Sequence, residues 1–305
     1  MKELWVEKYR PNTVDGYVFR DEHQKKQVQQ WIKDGTIPHL LFSGNAGIGK
    51  TTLAKILLNQ LEVNDLDVLE INASRTNSVE DVRDKIVNFV QMIPFGAFKV
   101  VLLDEADYLS PNAQAALRGV MEEYHTTSRF ILTCNYPNRI IPALHSRCQG
   151  FHIERIDQTE FTARVAEILI AEEVTPDIDT LDTYVKATYP DLRKCINLVQ
   201  MNTVDGKLVS PQESDSSTAD YRLAVVDLFK QGKILDARKL LCSQVRPEEM
   251  DELFRWMYDN LELWSDTQEG QDAAVLIIAK GLRNIPLVAD QEINLAATLV
   301  ELCQI

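Results

Sequence analysis

The stretch HLLFSGNAGIGKTTLAKILLNQL, residues 39–61, decides how the rest of the chain reads. HLLFSG (39–44) is a short apolar run closed by glycine, which reads as a buried strand. KTTLAKILLNQL (50–61) places its apolar residues at helical spacing. Between them GNAGIGKT (44–51) fits the spacing G-x-x-x-x-G-K-[ST] of a phosphate-binding loop. Gly44, Gly47 and Gly49 allow backbone N–H groups to turn toward a phosphate. The start of the helix adds the positive end of its dipole. Asn45, Ala46, Gly47, Ile48, Gly49, Lys50, Thr51 and Thr52 are therefore the candidate nucleotide contacts. Lys50 would reach the β- and γ-phosphates, and the Thr51 hydroxyl would hold Mg²⁺. A glycine-rich turn without a ligand would not require a lysine and a threonine to follow it.

Moving outward, strands and helices alternate. DVLEINA (67–73), FKVVLLDEAD (98–107) and SRFILTCNY (128–136) read as strands. SVEDVRDKIVNFVQM (78–92) opens with Ser78 and has Asp81 three positions on, an N-cap signature. SPNAQAALRGVMEEY (110–124) has Ser110 as cap and Pro111 in the first turn. Apolar strands alternating with helices imply an α/β domain whose parallel sheet is covered on both faces. Asp104 and Glu105 end a buried strand, where such sheets bind ligands. Asp104 suits a magnesium shell, and Glu105 suits the polarising of a water for attack on a γ-phosphate. Asn135 ends the next strand and could position that water. The string DEAD (104–107) also occurs in helicases, but their other blocks and arginine-rich second core are missing. Downstream, HSRC (145–148) carries Arg147, which has no obvious partner in the sequence nearby. From spacing alone, Arg147 reads either as a surface or salt-bridged arginine or as a finger reaching a neighbouring subunit's nucleotide.

Elsewhere the composition mainly excludes. The 305 residues carry a net charge of −14, which argues against indiscriminate nucleic-acid binding but not against a local DNA-facing strip. The five cysteines are scattered and form no zinc or disulfide pattern, so they read as buried free thiols. The N-terminus lacks a signal-like apolar core, and no run approaches the ~20 apolar residues of a membrane span. A soluble intracellular protein is expected. Trp5 to Val18 reads as an extended arm, broken by Pro11 and Gly16, before a polar helix at 21–34. From 157 onward strands give way to helices at 157–173, 177–189 and 191–202. The stretch 205–220 has linker chemistry, and helical periodicity returns over 221–305. Acids crowd 248–272 against Arg255 alone and read as a solvated face.

The sequence resembles clamp-loader ATPase subunits of the AAA+ superfamily. It is similar to the small subunits of replication factor C and to the large clamp-loader subunit of tailed bacteriophages. The matching motifs are WVEKYRP (5–11), GNAGIGKTT (44–52), LLDEADYLS (102–110), AQAALRGVMEEY (113–124), HSRC (145–148) and PDLRKCIN (190–197). The resemblance implies a P-loop AAA+ domain over 1–154, a helical lid over 155–204, a linker over 205–220 and a helical collar over 221–305. It implies that Val6, Glu7, Lys8, Tyr9 and Val18 line an adenine pocket, and that Asn135 is a sensor of the nucleotide. It also implies that Arg193 touches the γ-phosphate of its own subunit, and that Arg147 completes the site of the next one.

Such proteins use ATP and Mg²⁺ in a five-subunit spiral. They open a sliding clamp, place it at primer–template DNA and release it on hydrolysis, in the cytoplasm (a host's, if viral) or at the nucleoid. By the same resemblance Arg75, Arg83, Ser110 and Asn112 would face DNA. Met92, Ile93, Phe95 and Phe98 would form an apolar plug for the clamp. The alternative is another AAA+ ATPase acting on DNA, such as a branch-migration motor. Two departures concern the coupling of DNA to hydrolysis: Gly119 stands where a second arginine is usual, and Arg75-Thr76-Asn77 replaces an acid with a basic residue or glycine. The cysteine cluster of bacterial clamp loaders does not occur between the phosphate loop and DEAD.

Overall fold

Branched and aromatic side chains fill the apolar runs, and these pack best on a pleated surface. The computed structural model describes residues 3–75, 79–153, 156–175, 177–209, 224–226, 228, 231, 233–245, 250–265 and 267–304. In chain order its first elements are α1 (Trp5–Lys8), α2 (Glu22–Asp34), β1 (Leu40–Ser43), α3 (Lys50–Gln60), β2 (Val68–Asn72) and α4 (Val79–Val90). Then follow β3 (Lys99–Asp104), α5 (Pro111–Glu123), β4 (Ser128–Cys134), α6 (Pro142–His145) and β5 (Gln149–His152). Helices α7 (Gln158–Ala171), α8 (Ile178–Thr188) and α9 (Leu192–Met201) come next.

The five strands form one parallel sheet in the order β2-β3-β4-β1-β5. Ser43 lies beside Cys134, Leu103 beside Leu132, and Asn72 beside Asp104. The carboxyl ends of the strands thus share one edge. Because β4 separates β1 from β3, a crevice opens at that edge, where open α/β sheets bind ligands. Leu41, Val101, Leu103, Phe130 and Leu132 pack with Ile86 and Val90 of α4 and Leu117 and Met121 of α5. Full burial of each such side chain stabilises the fold by about 1.5–3 kcal/mol. On α5 the Ser110 hydroxyl accepts the Ala113 N–H, and on α2 the Asp21 carboxylate accepts that of Gln24. Ser78 lies outside the described residues.

Five sequence expectations need correction. The arm is not extended throughout, because Trp5–Lys8 forms a helical turn whose Trp5 is buried. Strands do not end at 157, since Thr203–Val204 and Lys207–Leu208 form a small antiparallel hairpin. Asp205 and Gly206 turn it with positive φ, as short hairpins require, so the linker reading fails for its first residues. Residues 210–220 of that segment lie outside the described residues. Among the acids, Asp259 is not solvated: its side chain is 1% exposed and accepts from Arg255 at 3.1 Å. Glu248, Glu249 and Asp266 lie outside the described residues, as does the side chain of Glu252. All five cysteines are free, but Cys242 is only half-buried and Cys303 is exposed, so the buried reading holds for Cys134, Cys148 and Cys195.

The chain divides into two compact units, Met1–Arg164 with Pro190–Arg193, and Val165–Tyr189 with Lys194–Ile305. Among its described residues the second has helices and the hairpin as its regular elements. Its described residues include helices Ile234–Gln244, Met250–Asp259, Gln268–Asn284 and Gln291–Leu302, with Leu253, Met257, Ile278, Leu295 and Leu299 buried. Among the described residues no helix is long and apolar enough to cross a membrane.

Candidate nucleotide site

The loop from β1 to α3 folds as its glycines dictate. Gly47 and Gly49 have φ of 76° and 93°, which disfavours any side chain. Space is short as well: a Cβ on Gly49 would lie 2.9 Å from the Tyr17 ring, and one on Gly47 would strike the Asp191 carboxylate. Backbone conformation and close neighbours therefore both restrict these two positions to glycine.

Lys50 is buried, and its ammonium donates to Gly44 O at 2.8 Å, Asn45 O at 2.6 Å and Asn135 Oδ1 at 2.8 Å. Among the described residues no carboxylate forms an ion pair with it. Burial pulls its pKa down from 10.5 to about 8, with the nearby Asp104 and Asp107 opposing that fall and Arg193 adding to it. The Thr51 hydroxyl donates to Asp104 Oδ1 at 2.7 Å, so the two oxygen groups expected at a metal are adjacent. A carboxylate, a hydroxyl and the backbone amides of a glycine-rich loop form the donor set that suits a magnesium-bound triphosphate, and the residues present fit it. Glu105 lines the same cleft in the left-handed region, φ 59°, a strained conformation for a residue with a Cβ.

Residues missed at the sequence level hold this arrangement. The Thr133 hydroxyl donates to Asp104 Oδ1 at 2.6 Å and accepts the Glu105 N–H at 3.0 Å, fixing both acids from β4. Asp107 Oδ2 accepts the N–H groups of Asn135 at 3.2 Å and Tyr136 at 3.0 Å, tying the end of β4 to the acid turn. The available signal was a hydroxyl inside the buried run FILTC, because a polar group there must find a partner. Tyr17, wholly buried between Gly16 and Val18, reaches Ile48 O at 3.4 Å.

Many of the residues predicted for the nucleotide converge. Ala46, Gly47, Gly49, Lys50, Thr51, Thr52, Asp104, Glu105, Asn135 and Arg193 line one cleft. The N-terminal arm reaches it too: Arg10 Nε donates to Thr52 Oγ1 at 3.2 Å, and Glu7 accepts from Arg10 at 3.3 Å. Arg164 holds Tyr9 O at 2.9 Å. Val18 is buried and Val6 half-buried, while Glu7, Lys8, Asn45 and Ala46 are exposed. Ile48 is buried.

Arg147 stands apart. It follows α6, does not line the cleft, and is paired with Glu122 of α5, which also meets Arg118 at 3.4 Å. Its partner sits 25 positions earlier on a neighbouring helix, so within the single chain Arg147 is the salt-bridged surface arginine that is one of its two sequence readings. Arg75, Arg83 and Asn112 are exposed, and Ser110 caps α5. Met92, Ile93 and Phe95 are 57, 87 and 73% exposed. Phe98 is not part of that exposed group. It is buried, because it leads directly into β3 and its ring lies 5.6 Å from the Arg129 guanidinium.

A parallel sheet that gathers a glycine-rich phosphate loop, an acid pair and a polar side chain at one edge defines an ATPase of the P-loop class. The family model "ATPase family associated with various cellular activities (AAA)" matches residues 40–155. A replication factor C small subunit of Archaeoglobus fulgidus is 38% identical over 247 residues, covering 78% of this chain and 77% of that protein. The one of Methanococcus maripaludis is 31% identical over 305 residues, covering 99% and 92%. This chain belongs to the replication factor C small-subunit family, the ATPases of clamp loaders. Among solved structures, variants of Thermotoga maritima RuvB share the fold at TM-score 0.54 with 17–18% identity. They cover 64–72% of this chain and 66–73% of their own.

Proposed function

We propose that this chain is an ATP- and Mg²⁺-dependent subunit of a five-subunit spiral. The spiral opens a sliding clamp and sets it at a primer–template junction, in the cytoplasm or at the nucleoid. In this reading residues 1–154 carry the nucleotide, 155–204 form the lid and 221–305 the collar. The observation that carries it is the division of the cations. Lys50 and Arg193 line the cleft with Asp104, Glu105 and Asn135, while Arg147 stands on the surface outside it. A guanidinium that stands away from its own chain's nucleotide cleft suits a seam between copies, where it would meet the nucleotide of a neighbour.

Lys50 takes the β- and γ-phosphate oxygens, Glu105 accepts the proton of the attacking water, and Asn135 orients that water. Thr51 and Asp104 would hold Mg²⁺, which neutralises charge on the transferring phosphoryl group. Val6, Glu7, Lys8, Tyr9 and Val18 enclose the base. Arg75, Arg83 and the amino end of α5 at Ser110–Asn112 follow the DNA backbone. Contacts of that kind need few charges and tolerate a chain of net charge −14. Met92, Ile93 and Phe95 dock on the clamp. The test is steady-state ATP hydrolysis by the assembled complex with primer–template DNA, with cognate clamp, and with both. Turnover rises most with both together. Equal turnover with duplex alone would instead favour a motor that moves along DNA.

The lowered Lys50 pKa gives a second expectation. An amine of pKa about 8 in the free site is held charged by a bound phosphate, so binding takes up a proton above that pH. Nucleotide affinity is therefore level below about pH 7.5 and falls by up to about tenfold per unit above about pH 8. Fluorescent-nucleotide titrations between about pH 7 and 9.5 check this, and equal affinity at both ends contradicts it.

A further inference from the structure

The loop bearing Met92, Ile93 and Phe95 is fastened from beneath by a buried charge pair. Asp67 is fully buried in the turn that precedes β2. Its Oδ1 accepts the Phe95 N–H at 3.0 Å and the Lys99 ammonium at 3.1 Å, and its Oδ2 accepts the Gly96 N–H at 2.7 Å. Lys99 is itself 2% exposed, with its ammonium 4.3 Å from the centre of the buried Phe89 ring. Burying two charges is expensive, and an apolar pair of like volume often serves stability as well or better. Here both carboxylate oxygens are used on the backbone of a single loop. That loop in turn shows water three large apolar side chains, an unfavourable display that marks a contact surface.

We infer that Asp67, charge-compensated by Lys99, is a positioning residue for the clamp contact. It holds the 92–96 backbone in the one shape that presents Met92, Ile93 and Phe95 together. A preorganised plug docks without losing further conformational entropy, which is where affinity is otherwise lost. The fastening acts at the amino-terminal edge of the sheet, since Val68 pairs with Val100, whereas the nucleotide groups stand at the carboxyl edge, where Asn72 pairs with Asp104. Four residues of strand at about 3.3 Å each separate the two, roughly 13 Å. The inference rests on the proposal that this loop meets the clamp.

The test uses the double variant Asp67→Leu/Lys99→Met in the assembled loader, beside Ile93→Ser/Phe95→Ser. Removing both charges together leaves no unpaired buried ion, and the Phe95 and Gly96 amides, on exposed residues, can turn to water, so the double variant is expected to melt near the parent temperature. Its Phe95 and Gly96 amides exchange at least about tenfold faster, and its clamp affinity falls by about tenfold. Ile93→Ser/Phe95→Ser weakens clamp binding by a similar factor or more. If only the serine variant weakens the clamp while Asp67→Leu/Lys99→Met binds like the parent, the positioning role is wrong and the docking loop stands. If neither weakens it, the loop is not the clamp contact and this inference falls with it. A clamp affinity that follows melting temperature across the variants, instead of loop exchange, also overturns it.

Discussion

Replacing Arg147 with alanine is expected to lower ATP turnover of the assembled complex by on the order of a thousandfold, with nucleotide affinity of the isolated chain unchanged. The ion pair with Glu122 does not prevent a role in the neighbour's site. The two side chains are 35% and 40% exposed, and exposed pairs of this kind are worth only about 0–1 kcal/mol. A guanidinium forks onto phosphate oxygens through charge-assisted bonds, which are stronger. Arg147 therefore exchanges Glu122 for a γ-phosphate at little expense once a neighbour presents one. Arg118 remains beside Glu122, so that carboxylate is not left without a cation. Steady-state turnover of the complex and equilibrium nucleotide binding by the single chain check this. A loss of less than about threefold in turnover would contradict the role, because a finger is worth far more.

Changing Glu105 to glutamine is expected to lower hydrolysis by about 10²–10⁴-fold while ATP binding persists. The amide keeps the size and the backbone of the residue. The Thr133 hydroxyl can still accept the N–H at position 105, and the left-handed φ is no harder for glutamine than for glutamate. What the substitution removes is the carboxylate proposed as the base that takes the proton of the attacking water. Single-turnover hydrolysis and nucleotide binding, measured on the same preparation, separate the two effects. Loss of binding together with hydrolysis would place Glu105 in ligand affinity, not in the chemical step.

The phosphate loop was legible because its spacing is set by backbone geometry, and positive φ at Gly47 and Gly49 accounts for the glycine letters directly. The strands were legible from their apolar content, but their order was not. Periodicity does not say that β4 lies between β1 and β3, and that insertion is what opens the crevice. The fifth strand, Gln149–His152, buries only Phe151 and so leaves a weak pattern. Arg193 was reached through resemblance, since a lone arginine on a helix says nothing of the cleft it lines. Thr133, Asp107 and Glu122 act through partners about 25–30 positions away, a separation that no local pattern encodes. Phe98 was misassigned by adjacency: one loop carries exposed and buried aromatics, and the boundary falls where the chain enters β3.

The most direct measurement of the shared site is ATP hydrolysis by complexes reconstituted from Arg147→Ala chains, from Lys50→Ala chains, and from a mixture of the two. Each variant alone is inactive. The mixture regains turnover, because an Arg147→Ala chain keeps its own phosphate loop and receives the guanidinium of an adjoining Lys50→Ala chain. If the mixture is as inactive as its components, Arg147 serves its own nucleotide or none, and the seam between subunits is not where ATP is cleaved.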